Sequence, residues 1–539
     1  MPFAWAGRKL EGWSGRRSVV FARRVVATSQ PLAAQAGLRL LQEGGNAVDA
    51  AVTAAATLAV VEPHMTGVGG DLFALVYAGA TGRIHCLNAS GRAPARATLD
   101  ELQGRGLAEI PPRSILAVTV PGAVSGWAAL LERFGTIDLA RALEPAVAYA
   151  EDGFPVSEVI ASQWAVAEEV LAKHPATAAL FLPEGRPPRP GDIFRNPDLA
   201  ESLRAIARSG PAALYGGAVA AAIAECARRL DGLLDEADLA GHTSTWVEPV
   251  WSTYRGYTVL EPPPSAQGVT ALEILNILEG FDLAASGHNT VETLHCLIEA
   301  KKLAFADRAL YLADPAHAEV PAGRLVSKAF ARRRAALIGE RASSYPPGPV
   351  DPPSDTVVVV AADALGNAVS LAGSLFNAFG SGIVADGTGI VLQNRGAGFR
   401  LVPGHRNAIA PGKRPLHTLI PALVLEDDRL ALAFGVMGGD MQAQGHAQVL
   451  ANLIDFGLGL QEALDAPRVR HLGGDRVYLD AGLSAEVEAG LAARGHRPER
   501  GGAHMSSPTG GAQAIAVDRA TGVLAGASDW RLDGCAVGL

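Results

Sequence analysis

Residues 343–355 read SSYPPGPVDPPSD, and Thr356 directly after them opens the run TVVVVAA. The five prolines of this segment each fix φ and remove a backbone donor, so it resists both helix and sheet and reads as an exposed linker. The Val-rich stretch behind it has the β-branched side chains of a buried strand. The junction therefore divides the chain. A helix-rich first two-thirds is expected before it and a strand-rich last third after it.

Residues 1–25 read as a poorly ordered leader, with helical signals beginning at Gln30. Ala34 to Gln42 reads as a helix ended by Gly44-Gly45. Asn46 then caps an Ala-rich helix from Ala47 to Val61, stopped by Glu62-Pro63. Strands are expected at Leu72–Tyr77 and Ile84–Leu87, and helices at Gly268–Leu278 and Val291–Leu312. Ala422–Glu426 and Leu430–Phe434 read as a hairpin around Asp427-Asp428, and Gly511–Val517 and Val523–Ala527 as two more strands. Gly67-Val68-Gly69-Gly70 follows a helix and precedes a strand. That order is reversed for a dinucleotide site, so a tight turn with close backbone approach is expected.

Composition removes several classes of function. Hydrophobic residues at 49% and charged residues at 19% describe a chain with a large core. A net charge of −9 without a long basic run argues against nucleic acid as a partner. The longest apolar stretch, Ala47 to Val61, contains Asp49 and is too short to span a bilayer, so no membrane partner is expected. The N-terminus lacks an uninterrupted apolar segment followed by a cleavage site, and a cytoplasmic location is expected. Cys86, Cys226, Cys296 and Cys535 form no CxxC pair, and the histidines lack metal-ligand spacing. No metal or organic cofactor is expected. There is no HExxH, GxSxG or P-loop motif.

Chemistry is instead suggested by the junction. Cleavage of the Asp355–Thr356 peptide would leave Thr356 with a free α-amine beside its hydroxyl. An α-amine titrates near about 7.7–8.0, so it can accept the hydroxyl proton without a histidine.

Blocks on both sides carry a family resemblance. Gly44-Gly45-Asn46-Ala47-Val48-Asp49-Ala50-Ala51, Glu62-Pro63-His64, Gly67-Val68-Gly69-Gly70-Asp71, Pro121-Gly122-Ala123-Val124-Ser125-Gly126-Trp127, Glu299-Ala300-Lys301 and Ala306-Asp307-Arg308 precede the junction. Gly366-Asn367-Ala368-Val369-Ser370, Phe379-Gly380-Ser381-Gly382, Lys413-Arg414-Pro415-Leu416 and Gly438-Gly439 follow it. In this order, over roughly residues 25–535, the sequence resembles the γ-glutamyltranspeptidases. The resemblance implies an α+β fold, the four-layer αββα sandwich of N-terminal-nucleophile hydrolases. A proenzyme would cut itself into a large chain, residues 26–355, and a small chain, residues 356–539, held in one folded unit. Thr356 aligns with the nucleophile and Ser374 with a second hydroxyl residue. Gly438 and Gly439 align with the pair whose N–H groups form the oxyanion hole.

Departures from the family pattern fall on the amino-acid clamp. The family's carboxylate-binding Arg aligns with Ser90, with Arg92 two residues on. Its Asn aligns with Phe376, with Asn377 adjacent. Its ammonium-binding Asp aligns with Gly398, and its Ser-Ser pair with His417-Thr418. Arg92, Asn377, Arg395, His417 and Thr418 are therefore the candidate substrate-binding residues, with Arg400 a further candidate for an acidic acyl group. The expected activity is γ-glutamyl transfer or glutathione-type hydrolysis on a small-molecule amide. The alternatives are a non-glutamyl amidohydrolase, similar to oxamate hydrolases or cephalosporin acylases, and an inactive scaffold that stays uncut. Dimerisation beyond the two-chain unit is left open.

Overall fold

The structure, a computed structural model, describes residues 17–345, 355–501 and 508–539. Local signals set its first helices. The Asn46 side chain accepts from the backbone N–H of Val48 and Asp49, and the Asp49 carboxylate accepts from Asn46 N–H, a reciprocal cap that starts the Ala47–Val61 helix. Every residue of that helix is buried, which its small side chains permit. The expected hairpin also forms, between Ala422–Glu426 and Arg429–Val436. Asp427 and Asp428 both take positive φ, at 49° and 59°, giving a turn whose twist matches the two strands.

Fourteen strands build two antiparallel sheets of seven. One runs Val20–Ala22, Leu524–Ser528, Ala512–Val517, Arg429–Val436, Ala422–Glu426, Tyr257–Glu261 and Val250–Tyr254. The other runs Cys535–Gly538, Val25–Thr28, Asp355–Ala362, Ala368–Phe376, Asp71–Ala78, Arg83–Ala89 and Thr245–Val247. The helices Pro31–Gln42 and Ala47–Val61 cover the outer face of the second sheet, and Gly268–Leu278 and Met441–Ile454 cover the first. The order is helix, sheet, sheet, helix, as the resemblance implies.

The Val run owes its continuity to this sandwich. Val357, Val359 and Ala361 pack toward the helices, while Val358, Val360 and Ala362 pack toward the other sheet. Both faces of the strand are covered, so neither face is polar.

One expectation needs correction. The leader expected over residues 1–25 ends earlier. Residues 1–16 lie outside the described residues, but Val20–Ala22 and Val25–Thr28 are strands. They pair with Leu524–Gly526 and Cys535–Gly538 respectively, partners too distant in sequence to leave a local signal. The junction does not divide the sheets. Each contains strands from both sides of the junction. Of the proline-rich segment, residues 346–354 lie outside the described residues. All four cysteines are free. Among the described residues, no single helix is long and apolar enough to cross a membrane.

Candidate active site

Strand alternation aims the key side chains. Leu371 and Leu375 belong to the core under the helices, and Ala372 to the core between the sheets. The same alternation sends Ser374 between the sheets. Thr356 shares parity with Val358 and Val360, although the register shifts between Asp355 and Val357. That irregularity sits at the junction itself, and Thr356 is fully buried there. The Ser374 hydroxyl donates to the Asp355 carbonyl oxygen at 2.5 Å, and its oxygen accepts from Phe376 N–H at 2.8 Å. The carbonyl of the expected scissile peptide is thus held by a hydroxyl donor. From the facing layer, Gln442 Nε2 donates to Thr356 Oγ1 at 3.1 Å.

Gln442 lies in the first turn of the Met441–Ile454 helix, which Gly438-Gly439 leads into. Both glycines have positive φ, 109° and 60°. Their carbonyls accept from the N–H groups of Met441 and Gln442. Among the described residues, no acceptor takes the N–H of Gly438 or of Gly439. Two unpaired donors at the positive end of a helix make a site suited to developing negative charge. A buried network fixes this turn. Gln267 Nε2 donates to the carbonyls of Gly439 and Thr418 at 3.0 and 2.9 Å, and Gln267 Oε1 accepts from Arg308 at 2.7 Å. Arg308 also pairs with Asp440 at 2.5 Å.

Thr418 continues this network into a cleft lined by Arg308, Leu312, Phe376, Arg395, Gly398, Arg400, His405, Asn407, Leu416 and Thr418, among others, with no Asp or Glu in its wall among the described residues. Arg395 is buried, donates to Thr418 Oγ1 at 3.1 Å and lies over the Phe376 ring at 4.0 Å. Phe376 itself has φ 80°, a strained conformation for a bulky residue.

The five candidate substrate residues separate accordingly. Arg395 and Thr418 line the cleft, as does Arg400. Arg92 does not; its guanidinium donates to the Gly412 carbonyl. Asn377 is buried, and its Oδ1 accepts from Asn394. His417 is fully buried: its Nδ1 accepts from Leu419 N–H, so its Nε2–H donates to Asp71 at 3.0 Å. Burial, with Arg395 nearby, pushes the His417 imidazole down to about 4 against the pull of Asp71, and it stays neutral. Asp71 also accepts from Gly91 N–H and Gln393, so His417 braces the turn rather than the cleft. Sequence reasoning missed Gln267, Asp440 and Gln442. Nothing local singles them out: Gln442 is one of several polar residues in the stretch Asp440-Met441-Gln442-Ala443-Gln444-Gly445-His446.

Electrostatics around the junction are dominated by burial. Burial pushes the Asp355 carboxyl up to about 6, against Arg113 and Arg470. Burial likewise pushes Lys301 down to about 7 despite Asp440. The Lys301 amine donates to His471 Nδ1 at 2.8 Å, because His471 Nε2–H is committed to the Gly474 carbonyl. Burial pushes the Asp440 carboxyl up, but Arg308, helped by Lys301 and Arg470, outweighs it and holds Asp440 below its usual range. The one cluster with metal-ligating donors among the described residues is His295, Glu299 and His496. Most of its atoms are engaged, His295 with His496 Nε2 and the Gly339 carbonyl and Glu299 with Lys302 and Ser343 N–H, while His496 Nδ1 has no hydrogen-bond partner among the described residues.

Comparison with known proteins agrees with this geometry. The chain is 40% identical to the glutathione hydrolase-like YwrD proenzyme of Bacillus subtilis (strain 168), covering 97% of this chain and 100% of that protein. It is 40% identical to the acylase ACY 1 proenzyme of Pseudomonas sp. (strain V22), covering 96% and 94% of the two chains. The crystal structure of cephalosporin acylase from Bacillus halodurans superposes with a TM-score of 0.92 at 42% identity, covering 99% of each chain. The sequence pattern of the gamma-glutamyltranspeptidase family matches residues 33–539, and the chain belongs to that family.

Proposed function

From membership of the γ-glutamyltranspeptidase family, and so of an enzyme family of N-terminal-nucleophile type, we propose that this chain is a proenzyme that cuts itself between Asp355 and Thr356 and then hydrolyses or transfers acidic acyl amides. Residues 26–355 and 356–539 are the two chains of the mature enzyme in this reading, with its location cytoplasmic. In the first reaction Thr356 Oγ1 attacks the Asp355 carbonyl carbon, and the hydroxyl of Ser374 stabilises the charge that develops on the carbonyl oxygen. The Asp355–Thr356 C–N bond then breaks as the Oγ1 proton passes to the departing nitrogen, which frees the Thr356 α-amine and leaves an Asp355 ester on Oγ1; water hydrolyses that ester to the Asp355 carboxylate and the Thr356 hydroxyl.

In turnover that amine accepts the Oγ1 proton while Oγ1 bonds to the substrate carbonyl carbon. The N–H groups of Gly438 and Gly439 receive the oxyanion. The C–N bond then breaks, the proton passes to the leaving amine, and an acyl ester remains on Thr356. Water or an amine displaces it. The observation that carries this reading is the convergence of three features on one buried threonine: a hydroxyl on the scissile carbonyl, an amide on the nucleophile oxygen and two unpaired N–H groups one turn away.

The γ-glutamyl group is the acyl group implied by the family, and the relatives named for acylase activity favour a second. The cleft wall supports that second reading. Among the described residues it presents Arg308, Arg395, Arg400 and His405 and no carboxylate to hold an α-ammonium. A dicarboxylic half-amide, such as a glutaryl amide, satisfies such a wall better than a γ-glutamyl amide does. A panel of glutaryl, γ-glutamyl and butyryl p-nitroanilides, with glutathione and oxamate, tests it. We expect kcat/KM for glutaryl to exceed butyryl by about 10-fold or more, the worth of one charge-assisted hydrogen bond. Arg395→Met should remove most of that advantage through KM. A butyryl substrate turned over as well as glutaryl would overturn the acidic-acyl assignment.

A further inference from the structure

Gln442 is fully buried between the nucleophile strand and the segment that follows Thr418. Its Oε1 accepts from Ile420 N–H at 3.1 Å. A backbone N–H can only donate, so this contact fixes the amide orientation and turns the NH2 group toward Thr356. Nε2 then donates to Thr356 Oγ1 at 3.1 Å. The neighbouring glutamines are spent elsewhere: Gln444 on His471 N–H and the Asp440 carbonyl, Gln448 on Val469. Among the described residues, Gln442 alone hydrogen-bonds the nucleophile oxygen.

We propose that Gln442 is a catalytic residue that steadies negative charge on Thr356 Oγ1 in both self-cleavage and turnover. The proposal rests on Thr356 being the nucleophile. With one lone pair of Oγ1 held by Gln442, the hydroxyl hydrogen is directed away from it, toward the α-amine once that amine exists. As the proton leaves and the Oγ1–carbon bond forms, the amide donor faces the oxygen that carries the excess charge. In deacylation the same oxygen is the leaving group, and the donor stabilises it again as the ester bond breaks and the proton returns. An ester oxygen accepts hydrogen bonds more weakly than an alkoxide-like one. The contact is therefore stronger in the transition states than in the acyl-enzyme, and its effect belongs in kcat.

Two substitutions separate this role from a packing role. Gln442→Met keeps the shape and removes the donor. Gln442→Glu keeps an acceptor for Ile420 N–H but turns a carboxylate on Oγ1. For Gln442→Met we expect self-cleavage of purified precursor and kcat each to fall about 10–100-fold, with KM and melting temperature little changed. For Gln442→Glu we expect a comparable loss and an acid limb of kcat/KM displaced to higher pH, because the new carboxylate favours the protonated α-amine. Unchanged self-cleavage and kcat in Gln442→Met would overturn the proposal. So would a loss confined to KM, or loss of the native melting transition in both variants. Thr356→Ala serves as the separate control. Turnover in that variant would remove the nucleophile reading itself, whatever Gln442 does.

Discussion

At the scale of single residues, Gly438 is where backbone conformation and chemistry meet. Its φ of 109° lies where L-residues are strained, and an added Cβ would stand 3.2 Å from Met441 Cβ and 3.3 Å from Gly510 Cα. Gly438→Ala therefore costs about 1–3 kcal/mol of backbone strain or rotates the turn away from its geometry. Because the turn carries the two unpaired N–H groups, we expect kcat to fall about 100–1000-fold while KM changes little, measurable with any accepted substrate. The strand beginning at Asp355 was legible from its Val run, whereas Thr356 as the nucleophile position came from the family resemblance. Gly438-Gly439 was visible only through the family pattern. His417 is a substrate candidate in the sequence only because His417-Thr418 aligns with the family's Ser-Ser pair. Its actual partner, Asp71, is on another strand, and nothing local in the sequence announces that pairing.

At the scale of elements, the Val291–Tyr311 helix buries charge to brace the site. Arg308 reaches Gln267 and Asp440, while Lys301, two turns earlier on the same face, sits 3.8 Å from the centre of the Phe305 ring and beside His471. Apolar spacing located this helix to within one residue of its C-terminal end, yet could not reveal that its polar residues point inward. Burial makes the cost of that arrangement depend on pH. Lys301 titrates near 7 in the folded chain, below its ordinary 10.5, so between those values the unfolded chain binds the additional proton. Stability from this residue is then lowest below pH 7 and rises as pH increases, by up to about 1.4 kcal/mol per unit. Urea melts of the mature protein at pH 7 and pH 9 measure it. Lys301→Met should flatten that part of the slope, and an equal slope in both proteins would count against a buried, deprotonated amine.

At the scale of the whole molecule, the two sheets explain why cutting the chain need not divide it. The Asp355–Ala362 strand lies between Val25–Thr28 and Ala368–Phe376, and Ala422–Glu426 pairs with Tyr257–Glu261. Residues from both sides of the junction thus hold each other by ladders of hydrogen bonds and share the core between the sheets. The layered fold followed from the family resemblance. The interleaving did not follow from local patterns, because antiparallel partners hundreds of residues apart leave no periodic trace. The most direct test of the account is intact mass and N-terminal sequencing of the native protein, beside Thr356→Ala. The account predicts two chains that co-elute, the smaller beginning at Thr356, and a single uncut, inactive chain for the variant. An active wild-type protein that remains one polypeptide, or a new amino terminus at any residue other than Thr356, would contradict it.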